Sequence, residues 1–74
     1  MNTKDKVLKI IKEATGPKTV IELHHTLQDL NMDSLDVVEL AMDVEDEFNI
    51  IIEDELLDSI VTIEDLIKVV EQKV

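Results

Sequence analysis

Seventy-four residues carry eighteen Asp and Glu against seven Lys and no Arg, a net charge of −11, with no Cys and 45% apolar residues. The length fits one domain, 1-74, near the lower limit for a single unaided core; without Cys there is no disulfide framework. The acid excess argues against nucleic acid and anionic membrane surfaces, and no apolar run approaches a membrane span, so no membrane insertion and a monomeric, cytoplasmic protein are expected.

The first predicted helix runs from about Thr3 to Thr15. Val7, Ile10, Ile11 and Ala14 recur at helical spacing on one face, with Leu8 beside them, while Lys6, Lys9 and Lys12 lie toward solvent. Gly16-Pro17 stops it. From Pro17 to Met32 periodicity is weak, and the stretch reads as a long loop, with room for a short helical turn, anchored by Val20, Ile21, Leu23, Leu27 and Leu30. Adjacent histidines such as His24-His25 can bind a metal, but a site needs convergent ligands and no Cys is available, so they are expected to be surface loop residues and no metal is expected.

Asp33 is a helix N-cap, because a short side-chain oxygen ahead of an apolar-periodic run accepts from an unpaired first-turn N–H. Ser34 then falls in that first turn. Val37, Leu40, Ala41, Val44 and Phe48 follow the i, i+3, i+4, i+7 rule and face the core. A second strip, Leu35, Val38 and Met42, falls on another face and is flanked by Asp36, Glu39, Asp43 and Asp46. Core burial in a small monomer does not require that strip, and an apolar stripe bordered by acids suits docking.

Asn49-Ile50-Ile51-Ile52 is β-branched but lacks a partner strand, so it reads as a buried connection. Glu53, Asp54 and Glu55 suit the first turn of a short helix with Leu56 and Leu57, and Ile60 and Val61 are expected to close it onto the core. Thr62 caps the last helix, in which Ile63, Leu66, Ile67, Val70 and Val74 share a face, Glu64 and Asp65 lie in the first turn, and Lys68 and Lys73 lie toward the C-terminus. Three main helices and one short one give an all-α, small four-helix bundle with a long first loop.

Leu30-Asn31-Met32-Asp33-Ser34-Leu35-Asp36, followed by Val38-Glu39-Leu40, Glu45-Asp46-Glu47-Phe48, Ile50, Ile52, Asp54-Glu55 and Thr62-Ile63, resembles the acyl carrier protein family over nearly the whole chain. The resemblance implies that Ser34 is the covalent attachment point of a 4′-phosphopantetheine arm whose thiol carries acyl groups as thioesters. It also implies a carrier for fatty-acid or polyketide-type synthesis. Asn31 stands where the family commonly has Gly, and still tolerates a left-handed backbone. Glu53 stands where Pro is frequent, and the loop is slightly shorter than usual.

The residues themselves argue against an enzyme, since Ser34 has no positioned base and acid pairs are inevitable at this composition. The expected partners are a phosphopantetheinyl transferase and acyl-handling enzymes with basic surface patches. Asp33, Leu35, Asp36, Val38, Glu39, Met42, Glu45 and Asp46 are expected to form the partner face. The acyl chain is expected to slip between the helices near Leu40, Val44, Ile52, Ile60 and Leu66. An aminoacyl carrier of the D-alanyl type would use the same serine, and an unmodified acidic adaptor or nucleic-acid mimic is the alternative from another class.

Overall fold

In the computed structural model, which describes residues 2–16 and 18–74, the chain forms helices α1 (Thr3–Thr15), α2 (Ser34–Phe48), α3 (Asp54–Ser59) and α4 (Ile63–Lys73), with a 3₁₀ turn at Gln28–Leu30. Three of the four helices begin where a local side chain supplies an acceptor for a first-turn amide. The Asn2 side chain accepts from the Asp5 N–H at 2.8 Å to start α1, a cap that the sequence reading missed. Helices α2 and α4 carry reciprocal capping boxes, Asp33 with Asp36 and Thr62 with Asp65. Helix α3 starts at Glu53 without a side-chain cap; the Glu53 carboxylate accepts instead from Lys73 Nζ at 3.2 Å, tying this start to the end of α4. Gly16 ends α1 at φ 109, and the stop expected of Pro17 lies outside the described residues.

Helix α1 packs against α2 and α4. Among the described residues the core is aliphatic apart from Met32, and Ile11, Leu40, Ile63, Val7, Val44 and Val70 are the largest fully buried side chains. Truncating one of these to Ala costs about 2–5 kcal/mol for the larger side chains, a large share of what a domain of this size has. Val37 and Phe48 are only half-buried against this core, and Lys6 Nζ sits 5.9 Å from the Phe48 ring centroid.

Several side chains expected inside lie outside. Ala14 is exposed, as are Val20 (71%), Ile51 (72%), Val61 (57%) and Val74 (61%). Val74 follows the last helical residue, and Ile51 alternates outward between half-buried Ile50 and buried Ile52. Val61 gives its backbone to the next contact: its carbonyl accepts from the Leu27 N–H at 3.4 Å. Conversely, Met32 is buried at 8% exposure and joins the core, where the sequence showed it only as the end of a loop.

That loop is held by its backbone. Thr26 and Thr62 form an isolated antiparallel bridge, the Ile63 N–H donates to the His25 carbonyl at 3.0 Å, and the Glu64 N–H donates to the Leu23 carbonyl at 3.0 Å. Two orphan amides at the start of α4 thereby find acceptors in the long connection. Among the described residues, no helix is long and apolar enough to cross a membrane.

Candidate functional site

Ser34 is the first residue of α2, and four local devices fix it there. Thr26 and Asp29 bond reciprocally around the start of the 3₁₀ turn: the Thr26 N–H donates to Asp29 Oδ2 and the Asp29 N–H to Thr26 Oγ1, both at 3.0 Å. The backbone N–H of Thr26, followed by its hydroxyl, holds the Asp29 carboxyl below the usual carboxylate range. Asn31 then turns the chain through the left-handed region, φ 60 and ψ 31, with its N–H donating to the Gln28 carbonyl at 2.9 Å. Buried Met32, whose N–H donates to the Leu27 carbonyl at 3.2 Å, anchors the following residue. Asp33 completes the sequence of constraints, accepting from the Asp36 N–H at 2.9 Å while Asp36 accepts from the Asp33 N–H at 3.3 Å.

Because Asp33 performs the capping, the Ser34 hydroxyl is left free. Ser34 is exposed, and among the described residues its Oγ takes part in no hydrogen bond. No base is bonded to it, so the serine is accessible but not activated. Such a hydroxyl fits a group attached by another protein: it is reachable, it is not needed for the fold, and the first-turn amides of a 15-residue helix favour a phosphodiester beside it. An open groove leads away from it, walled by Met32, Val37, Val38, Leu57, Ile60 and Val61. Thr26, Gln28, Asp33 and Asp58 also line it, so it offers both apolar and polar contacts.

The expected partner face divides into two sets. Leu35 (68%), Val38 (44%) and Met42 (57%) are exposed large apolar side chains on α2, and Val61 across the groove extends the patch. Glu39 and Asp46 are exposed, with no side-chain hydrogen bond or ion pair among the described residues. Asp33 and Asp36 are exposed but engaged in the capping box. Glu45 is half-buried, and its Oε2 accepts from the Ile52 N–H at 2.7 Å, which ties it to the α2–α3 connection. The five side chains expected to line an acyl pocket, Leu40, Val44, Ile52, Ile60 and Leu66, all belong to one closed core cluster, and of them Ile60 also walls the groove beside Ser34.

The histidine pair occupies another region, where the connection meets α4. Half-buried His25 accepts at Nδ1 from the Glu22 N–H at 3.2 Å, and His24 is exposed. Sequence reasoning did not bring Glu22 to this pair, because a loop has no period from which to infer which side chains converge.

Residues 5–70 match the family model described as the phosphopantetheine attachment site. The chain is 36% identical over 73 residues to the acyl carrier protein of Zymomonas mobilis subsp. mobilis, covering 96% of this chain and 94% of that relative. The crystal structure of the acyl carrier protein from Thermotoga maritima superposes with a TM-score of 0.82 at 34% identity, covering 99% of this chain and 91% of that one.

Proposed function

The chain belongs to the acyl carrier protein family, and from that premise we propose that Ser34 is the hydroxyl to which 4′-phosphopantetheine is attached. The protein is a carrier, not an enzyme, and it bears this group covalently. When bound, the group supplies a thiol that holds acyl cargo as a thioester. Membership of this family displaces the unmodified-adaptor alternative.

The observation that carries the assignment is the free Ser34 Oγ at the start of α2, released from capping by the Asp33 and Asp36 pair. The role of the chain's own residues is presentation. Asp33 and Met32 fix the backbone on the N-terminal side of the tether; Leu35, Val38 and Met42 offer a small apolar contact; Glu39 and Asp46, with the wider acidic field, steer toward Lys and Arg on acyl-handling enzymes. Exposed charges acting mainly on association rate suit a monomeric shuttle that must leave each enzyme as readily as it finds it.

We assign the cargo to acyl intermediates of fatty-acid or polyketide-type synthesis. The apolar side of the groove beside Ser34, and a core with no buried polar side chain among the described residues, support this reading, because such side chains repack around a hydrocarbon at modest cost. The decisive experiment is co-expression with a phosphopantetheinyl transferase followed by intact-mass measurement. One adduct is expected, absent from the Ser34→Ala variant; an adduct that survives the substitution overturns the assignment. Loading the thiol with fatty-acyl against aminoacyl ligases then separates the two cargo classes.

A further inference from the structure

We propose that Glu22, His24 and His25 form a binding site for a divalent transition-metal ion of the zinc type. The Nε2 atoms of both imidazoles converge on one carboxylate oxygen: Glu22 Oε2 lies 3.4 Å from His24 Nε2 and 3.8 Å from His25 Nε2. One ligand atom from each of the three residues lies within 4.8 Å of the other two. A tetrahedral ion with bonds of about 2.0–2.1 Å holds its ligand atoms roughly 3.3–3.4 Å apart. The Glu22–His24 separation already meets that spacing. The Glu22–His25 gap closes by about half an ångström and the His24–His25 gap by at most about 1.5 Å, an adjustment within reach of side chains that are 75% exposed at His24 and 55% at Glu22.

The backbone beneath these ligands is fixed. The His25 N–H donates to the Glu22 carbonyl at 3.0 Å, closing a turn, while the His25 and Leu23 carbonyls accept from the first amides of α4. Ligands carried on a pinned turn lose less freedom on binding than ligands on a loose loop. Charge favours occupancy too. Two neutral imidazoles and one carboxylate leave a divalent ion with one net positive charge, inside a chain of net charge −11. Imidazole donors select zinc, nickel or copper over magnesium and calcium, which prefer all-oxygen sites. Three protein ligands leave a fourth position for water or an outside donor.

Binding has a structural signature. The Glu22 N–H now donates to His25 Nδ1 at 3.2 Å. An ion at His25 Nε2 requires the ring proton on Nδ1, so that bond opens and the Glu22 amide loses its acceptor. The ion in turn bridges the side chains of the turn from Glu22 to His25.

The test uses the full chain, free of any histidine tag and carrying Ser34→Ala so that no prosthetic thiol competes for the ion. Thermal melts in zinc chloride are compared with melts in equal magnesium chloride, and amide shifts are followed during the zinc titration. Zinc is expected to raise Tm beyond magnesium, to saturate at one equivalent and to move the Glu22 amide in step. His24→Ala and Glu22→Gln are each expected to weaken zinc binding by roughly tenfold or more, since a direct ligand matters at least as much as an outer partner, while the magnesium response stays unchanged. Equal responses to the two ions, or a zinc excess that survives both substitutions, would reduce the effect to screening of the acidic surface and overturn the site.

Discussion

Glu45 Oε2 accepts a 2.7 Å hydrogen bond from the backbone N–H of Ile52, seven residues further along. The bond ties the last turns of α2 to the chain entering α3, and it is charge-assisted. Ile52 is buried, so losing the acceptor leaves its amide unpaired. Glu45→Ala is therefore expected to destabilise the fold by about 1–2 kcal/mol. Glu39→Ala, at an exposed carboxylate without a hydrogen bond, should stay within about 0.5 kcal/mol. Both variants relieve one unit of self-repulsion, so their difference in urea unfolding isolates the bond; equal stabilities would remove it as an important contact.

On the partner face, charge and apolar contact should separate kinetically. Glu39→Gln with Asp46→Asn is expected to lower kcat/KM for modification by the transferase at low salt, with the deficit shrinking as salt screens the surface. Met42→Ala should cause a loss that salt does not erase, because its contact is apolar. Steady-state rates across a salt series check this, and parallel salt responses for the two sets would contradict the division.

Asp65 links α4 stability to pH. Its carboxylate accepts from the Thr62 N–H at 3.1 Å and the Val61 N–H at 3.2 Å. These bonds, that from Thr62 first, hold the carboxyl below its ordinary value of 3.8, with Lys68 adding a smaller electrostatic contribution. A depressed folded value means the stabilisation is complete above the unfolded value and is lost as pH falls through the folded one. Asp65→Asn should thus be less stable than the parent near neutrality, with the gap closing below 3.8 as the parent carboxyl becomes neutral. Urea midpoints over this acid range provide the measurement, and a gap independent of pH would exclude the charge as its cause.

The acidic field itself should weigh against folding. Between Lys18 and Lys68 stand fifteen acids, all but Asp5, Glu13 and Glu71 of the eighteen, with no Lys or Arg among them. Added sodium chloride or magnesium is therefore expected to raise Tm; a gain of about 1 kcal/mol corresponds to roughly 4–8 °C in a domain of this size. A melting temperature indifferent to both salts would show that self-repulsion contributes little.

The sequence by itself determined the helices and the place of the exposed serine, because caps and helical periods are local. Asp33 and Thr62 mark the starts of α2 and α4 within four residues of the apolar sets that they introduce, and Asn31 meets a left-handed turn that few other residues accept. Tertiary structure alone decided which apolar residues at element ends are covered. Val61 and Val74, expected on the core, stay more than half exposed, whereas Met32 fits no pattern and is buried. It also decided the roles of Glu45 and Glu22: one ties a connection across seven residues, and the other meets two histidines on a turn held by α4. Periodicity records the direction of a side chain from its own helix axis, and carries nothing about what the rest of the chain brings to that side.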